Sequence, residues 1–258
     1  MVQVIETGFI AILFAHILAD FYFQSDKMAR SCRKSLKGVA VHGAVYAAAA
    51  APVLALAFKP EWSLLWLWLG MGAGHLLIDG LKFCICRLLK RKGKNPSGLT
   101  VFLADQCVHI AVLIVLWYVF GVRLTVRSFL EVRAAHLPVL PVTLALAVAC
   151  VLRPVGLLIQ NCRLWTIGTA APAGKYPKDP NLNTGRIIGY LERLIILILV
   201  MYHQYSAIAF VLTAKSVARF KEIEESRITA EYYLIGTLMS AAATLVIAVL
   251  LGICGNGA

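Results

Sequence analysis

Long apolar stretches alternate with short polar or basic segments along the whole chain. A helix needs about 20 mostly apolar residues to cross a membrane, and seven stretches are of that order. They cover residues 7–24, 39–58, 62–84, 99–120, 138–160, 187–214 and 232–253. The pattern predicts an all-α polytopic membrane protein, a bundle of seven to eight transmembrane or re-entrant helices.

The predicted number of membrane segments, seven or eight, depends on whether the stretch 187–214 forms one helix or two. It is long enough for one tilted helix, or for two helices that turn back near residues 202–205. A turn keeps the basic residues that follow it on the same side as the other basic loops, as the positive-inside rule expects. The sequence therefore favours the hairpin and leaves the tilted helix as the alternative.

Charge orients the predicted bundle. Residues 27–37 and the segment from Lys82 to Lys94 are rich in Lys and Arg, whereas the connector 58–61 is nearly neutral. Cytoplasmic loops carry an excess of basic residues, so we expect the N-terminus outside and these two segments in cytoplasmic loops. The composition, 60% hydrophobic and 15% charged, agrees with a membrane protein. These loops account for the net charge of +12, so we expect no nucleic-acid partner.

Three histidine–aspartate pairs lie inside the apolar stretches, each with four-residue spacing that places both side chains on one face of a helix. The pairs are His16 with Asp20, His75 with Asp79, and Asp105 with His109. The third pair has reversed order on a helix of reversed direction. All three aspartates should therefore lie at one depth near the cytoplasm, together with His42, and the three histidines one turn deeper.

Ionisable side chains inside a membrane are costly and usually functional. We predict that the three pairs bind one or two divalent metal ions, with zinc as the first expectation and iron or manganese as alternatives. The metal ligands would be His16, Asp20, His75, Asp79, Asp105 and His109. Asp20, Asp79, Asp105 or His42 would be catalytic, as acceptor of a proton from water. The alternative is that the pairs only hold the helices together by hydrogen bonds.

A second group of charged residues is predicted to bind the head group of a substrate near the cytoplasmic face. It comprises Arg186, Glu192, Arg193, Lys215 and Arg219. A structural ion-pair network is the alternative. We expect residues 1–120 to form a four-helix His/Asp core. Residues 121–258 would form buttressing membrane helices with basic cytoplasmic loops and a surface helix near 215–227.

Several of these motifs resemble a bacterial integral-membrane family, domain of unknown function 3307. They are His16-x-x-x-Asp20-Phe21, His42, His75-x-x-Ile78-Asp79-x-x-Lys82 and Phe102-x-x-Asp105-Gln106-x-x-His109, with further likeness at 189–193, 214–220 and 231–237. The resemblance implies a multi-pass protein of the bacterial inner (cytoplasmic) membrane and no particular reaction. The intramembrane His/Asp pattern is also similar, by analogy, to small membrane-bound metal-dependent hydrolases.

Three functions follow as hypotheses. The first is a metal-dependent hydrolase acting on a lipid or lipid-linked substrate at the cytoplasmic leaflet. The alternatives are a transporter that conducts protons or metal ions through the same layer, and a non-catalytic membrane scaffold subunit. Membrane lipids are the expected partners, with a second copy of the chain or another membrane protein as a further partner.

Overall fold

The computed structural model describes residues 2–94, 97–130, 141–170, 182–218, 220, 224 and 227–253, and within them the protein is helical without a β-strand. The helices are α1 (Val2–Ile17), continued by a π-helical turn (Leu18–Tyr22), α2 (Asp26–Cys32), α3 (Leu36–Ala57), α4 (Trp62–Arg91), α5 (Gly98–Val119), α6 (Pro141–Ala170), α7 (Leu182–Met201), α8 (Tyr205–Ala218) and α9 (Arg227–Leu250). The predicted all-α fold class is confirmed.

Five of the described helices are long and apolar enough to cross a membrane, as expected of a multi-pass membrane protein. They are α3, α4, α5, the Pro141–Cys162 part of α6 and the Tyr233–Leu250 part of α9. The N-terminal helix with its π turn and α2 form a pair bent by 90°, which makes six if the pair is one span. The remaining predicted segments correspond to α7, which carries Arg186, Glu192 and Arg193, and to the shorter apolar α8.

Serine caps fix where three of the helices begin. Ser25, Ser35 and Ser97 each accept a hydrogen bond from the backbone N–H three residues later, at 3.2, 3.1 and 3.0 Å. These bonds satisfy amide groups that the first turn of a helix leaves unpaired. The caps therefore separate α2 from α1, α3 from α2, and α5 from α4.

The stretch 187–214 is a helical hairpin, as the charge pattern favoured. The chain leaves α7 through His203, whose φ of 57° is left-handed, and Gln204 N–H bonds to Leu199 carbonyl at 2.8 Å. Lys215 of α8 then forms an ion pair with Glu192 of α7, 23 residues earlier. One continuous helix would place those residues about 35 Å apart, so the tilted helix is wrong.

The chain forms two compact units, Met1–Ala149 and Cys150–Ala258. In the first unit α3 packs on α1 and α4, and α5 packs on α4 and α1, so four helices surround one core. Helix α2 packs on the start of α3. In the second unit α7 packs on α8 and α9. Arg219, 221–223 and 225–226 lie outside the described residues, so the surface helix near 215–227 stays a prediction.

Gly8 allows close packing in the first unit. A Cβ atom at Gly8 would lie 2.4 Å from the Trp117 ring, whereas a Cβ atom at Gly80 of α4 would meet nothing within 4 Å. We expect Gly8→Ala to lower stability by about 1–3 kcal/mol through overpacking. Gly80→Ala should be neutral or stabilising by about 0.5–1 kcal/mol, because alanine is the better helix former.

The measurement is the apparent melting temperature of the purified protein in detergent. Gly80→Ala is the matched control, since it makes the same substitution in a helix with open space. Equal melting of Gly8→Ala and the wild type would show that the contact with Trp117 does not constrain this core.

Candidate metal centre

Each helix of the four-helix core contributes one pair of polar side chains, spaced four residues apart, to a single buried cluster. The pairs are His16 and Asp20 from α1 and its π turn, His42 and Tyr46 from α3, His75 and Asp79 from α4, and Asp105 and His109 from α5. We call these eight residues the His/Asp cluster. The structure thus brings together all seven residues that the sequence predicted for the site.

Two imidazole rings meet at the centre of the cluster. The Nε2 atoms of His42 and His75 are 3.0 Å apart, and His42 Nε2 is 3.1 Å from Asp20 Oδ1. His75 Nε2 is 3.7 Å from the same Asp20 oxygen. Asp79 Oδ2 approaches from α4, 3.6 Å from His42 Nε2 and 3.5 Å from His75 Nε2. Two carboxylates therefore flank a pair of ring nitrogens that face each other.

Along their own helices, His16, His75 and His109 lie one turn from Asp20, Asp79 and Asp105, and we call these three the histidine layer, next to the aspartate layer. The ring centroids of His75 and His109 are 4.6 Å apart, and those of His16 and His109 are 5.4 Å apart. Tyr46 stacks on His75 at 3.8 Å, and its hydroxyl is 3.0 Å from His16 Nδ1. The Nε2 atoms of His42 and His75 both contact Asp20 and Asp79, so the two layers meet at this pair of rings.

Tyr46 was missed by sequence reasoning, although a signal for it existed. His42-x-x-x-Tyr46 has the same spacing as the three His/Asp pairs, so it is the fourth member of the same pattern. A phenol is not a common metal ligand, so the pattern of His and Asp residues did not include it. In the structure Tyr46 holds two histidine rings in place, one by stacking and one by a hydrogen bond.

Lys82 was not among the predicted site residues, and the structure brings it to the edge of the cluster. It lies inside α4, which continues to Arg91, seven residues beyond the end of the predicted span 62–84. Its Nζ is 2.5 Å from Asp79 Oδ1 and 3.0 Å from Asp105 Oδ2. The three-residue spacing of Asp79 and Lys82 was a visible signal for a helical ion pair.

The π-helical turn Leu18–Tyr22 directs Asp20 towards the other helices. Its carboxylate contacts His42 and His75 through Oδ1 and accepts a hydrogen bond from Gln106 Nε2 at 3.3 Å through Oδ2. Short π-helical segments are rare in proteins as a whole, and those that occur often lie at functional sites. The sequence predicted an ordinary α-helical His16/Asp20 pair, and nothing in the local pattern indicated the wider turn.

Among the described residues, side-chain exposure of the cluster rises towards Lys82. Side-chain exposure falls from 35% at Lys82 to about a tenth at Asp20 and Asp105, and to 0–3% at the histidines His42, His75 and His109. One turn beyond the histidine layer each helix places an apolar residue that is at most 2% exposed. These four residues, the apolar layer, are Ile12, Ala50, Met71 and Leu113.

Two groups of donor atoms within the described residues have spacings that suit a metal ion. They are Asp20–His42–His75 and His75–Asp79–His109. Zinc bonds of about 2.0–2.1 Å in a tetrahedron imply ligand–ligand distances of about 3.3 Å, close to the 3.0, 3.1 and 3.7 Å of the first group. Of the six predicted ligands, His16 and Asp105 lie in the cluster but outside both groups, and His42 belongs to the first.

Charge also fits a divalent cation. Three carboxylates and the Lys82 ammonium leave two negative charges when the histidines are neutral. In the His/Asp cluster, the buried atoms without a hydrogen-bond partner among the described residues are His16 Nε2, His42 Nδ1, His75 Nδ1, His109 Nε2 and Asp105 Oδ1, and each such atom costs about 1–3 kcal/mol. The Nδ1 atoms of His42 and His75 are turned away from the first group, whose ring nitrogens are Nε2.

The predicted head-group residues belong to the second unit and are not part of the His/Asp cluster. Glu192 and Lys215 form the interhelical ion pair. Arg193 is buried and donates to the carbonyls of Val151 and Leu152, next to the helical Pro154. Arg186 is exposed on α7, and Arg219 lies outside the described residues. Glu192 and Lys215 thus meet, whereas the Arg193 guanidinium is engaged by backbone carbonyls of α6.

Comparison with known proteins identifies a family but no activity. Residues 9–137 match the family described as protein of unknown function, DUF3307, and this match contains every residue of the His/Asp cluster. The likeness at 189–193, 214–220 and 231–237 falls outside it and stays a prediction, as does a bacterial origin. No protein of curated function and no solved structure matches the chain. The match covers half of the sequence, so the chain belongs to the DUF3307 family.

Proposed function

We propose that the His/Asp cluster binds a divalent metal ion and that the protein hydrolyses a lipid or lipid-linked substrate at the cytoplasmic leaflet of a bacterial inner membrane. Zinc is the first choice, with iron and manganese as alternatives. One observation carries the metal site: Asp20 Oδ1, His42 Nε2 and His75 Nε2 converge with mutual distances of 3.0–3.7 Å.

Hydrogen bonds alone account poorly for this convergence. The ring nitrogen of a neutral histidine either donates or accepts. If His75 Nε2 donates to His42 Nε2, His42 turns a lone pair towards the Asp20 carboxylate. If His42 Nε2 donates instead, His75 Nε2 turns a lone pair towards the Asp20 and Asp79 carboxylates, 3.7 and 3.5 Å away. If both nitrogens are protonated, two N–H groups face each other across 3.0 Å. A cation that accepts a lone pair from each of the three atoms removes the conflict.

The same geometry supports hydrolysis. A bound divalent ion would act as a Lewis acid that makes a water molecule more acidic. Asp79 Oδ2 lies within 3.6 Å of both ring nitrogens, so it is placed to accept the proton. Lys82 holds the other oxygen of Asp79 and fixes the orientation of the carboxylate.

The surroundings favour a substrate that comes from the lipid phase. Leu77 and Leu81 of α4, two residues before and after Asp79, lie on the opposite face of the helix from Asp79 and are 67% and 60% exposed. A helix with such an outer face can contact acyl chains while polar residues of its inner face contact a head group near the end of the bundle. The proposal therefore places the scissile bond near the boundary of the head group.

The first prediction concerns metal content. The protein, purified in detergent, stripped with chelator and reloaded with Zn²⁺, should bind zinc stoichiometrically and melt at higher temperature, because an ion at 100 times its dissociation constant adds about 2.7 kcal/mol. His42→Ala and His75→Ala should lose the ion. Elemental analysis and thermal melting with and without chelator provide the measurement.

His203→Asn is the matched control, because His203 is exposed at the α7–α8 turn and asparagine tolerates its left-handed backbone. Co²⁺ loaded into the wild type should show the intense visible absorption of a tetrahedral site, a readout that does not depend on a variant folding. A wild type that binds no ion and melts alike with zinc and chelator would rule out the site and favour the scaffold function.

The second prediction concerns the reaction. Zinc-loaded protein in vesicles of phosphatidylglycerol should release a head-group product that contains oxygen from labelled water, detected by mass spectrometry. Asp79→Asn should lower this rate by about 10²–10⁴-fold while it retains zinc, because it removes the proton acceptor and leaves the three ligands. Equal product from the wild type and Asp79→Asn, or product without the label, contradicts the hydrolase proposal.

The apolar layer opposes the transporter hypothesis, and this can be tested directly. Ions or protons that leave the histidine layer away from Lys82 would cross Ile12, Ala50, Met71 and Leu113, which offer no polar side chain. We expect Zn²⁺ and proton flux into proteoliposomes to equal that into protein-free liposomes. Protein-dependent flux that His75→Ala abolishes would instead establish conduction through the cluster.

A further inference from the structure

We propose that Lys82 acts as a built-in cation that fills a second cation position and thereby limits the His/Asp cluster to a single divalent ion. The inference rests on the proposed metal site and goes beyond it by stating how many ions the site holds and what sets that number. It also assigns to Lys82 a role other than that of a basic residue in a cytoplasmic loop.

The two candidate metal groups share one residue. His75 belongs both to Asp20–His42–His75 and to His75–Asp79–His109. A neutral imidazole has one unprotonated ring nitrogen to offer, and in His75 the nitrogen that points at His42 and Asp20 is Nε2. An ion in the first group therefore leaves the second with Asp79 and His109 as its remaining members.

Asp105 supplies the donor that would complete the second position. Its Oδ1 is buried without a hydrogen-bond partner among the described residues, and the Asp105 side chain is nine-tenths buried. His109 Nδ1 donates to the Asp105 backbone carbonyl at 2.9 Å, so the nitrogen that His109 can offer a cation is Nε2. Asp79 and Asp105 thus offer two carboxylates to one cation position, with the His109 imidazole as the neighbouring nitrogen donor, a combination that zinc and manganese accept.

The Lys82 ammonium already bridges the two carboxylates of that set. Its Nζ lies 2.5 Å from Asp79 Oδ1 and 3.0 Å from Asp105 Oδ2. Asp79 consequently spans two cations, with Oδ2 towards the ring nitrogens of the first position and Oδ1 towards Lys82. An ammonium group cannot share this place with a divalent ion, since the two charges would repel each other at short range.

The charge of the cluster agrees with one ion and not two. Lys82 leaves two negative charges among the three carboxylates, which one divalent ion neutralises. A second divalent ion would make the buried cluster doubly positive, at the cost that burial imposes on unpaired charge. Removal of the ammonium raises the charge deficit to three and frees oxygens of Asp79 and Asp105.

The test is the number of zinc ions per chain, measured by equilibrium dialysis and elemental analysis of the full-length protein in detergent. We expect one ion in the wild type and two in Lys82→Met, whose side chain has similar length and no charge. Lys82→Arg keeps the positive charge and should hold one ion. The double variant Lys82→Met/Asp105→Asn lacks a ligand of the second position and should also hold one.

Lys82→Met leaves two close carboxylates unpaired and is expected to be less stable than the wild type in chelator. Zinc should restore its melting temperature with a second binding step that Lys82→Met/Asp105→Asn does not show. If Lys82→Met fails to fold in chelator, its recovery when refolded or expressed with zinc, at two ions per chain, gives the same answer.

The outcomes separate the two proposals. No zinc in the wild type refutes the metal site itself. One ion in the wild type and one in Lys82→Met leaves the metal site standing and refutes the role of Lys82. Two ions in the wild type refute that role as well, because the ammonium would then not exclude the second ion.

Discussion

The burial of three carboxylates in an apolar four-helix bundle is the constraint on which the first unit depends. Asp20, Asp79 and Asp105 are at most about a tenth exposed, so most of their negative charge must be matched inside the protein. Lys82 matches part of it, and the four histidines supply nitrogen atoms around the rest. The other features of the bundle follow from the need to hold these groups in register.

The polar side chains of the cluster are aligned because all four helices use the same four-residue spacing. Each of α1, α3, α4 and α5 presents its polar pair on the inner face and continues that face with an apolar residue one turn further. Because the polar pairs lie at the same level, the bundle divides into an aspartate layer, a histidine layer and the apolar layer. This order gives the cluster access from one side, which suits a site that binds and reacts better than a path that conducts.

The second unit also buries charged side chains, and it matches their charge through other contacts. Glu192 is neutralised by Lys215 across the α7–α8 hairpin, and Arg193 is satisfied by backbone carbonyls next to Pro154. Each charge has a partner that stabilises helix packing, which explains their presence in α7 without a ligand. A head-group site built on Arg186, Glu192, Arg193, Lys215 and Arg219 stays a prediction, with the Arg193 guanidinium engaged elsewhere.

The sequence by itself determined the all-α membrane fold and singled out the seven His and Asp residues that the structure brings together, and it favoured the α7–α8 hairpin over one tilted helix. These features can be read from short segments of the chain. The length of an apolar stretch indicates a membrane span, the distribution of basic residues indicates its orientation, and the four-residue spacing places two side chains on one face of a helix. Only the tertiary structure decided that Tyr46 belongs to the cluster, that Lys82 bridges Asp79 and Asp105, and that a π turn aims Asp20 at His42. Those facts depend on which helices are neighbours and how each is rotated, and packing between distant segments sets both.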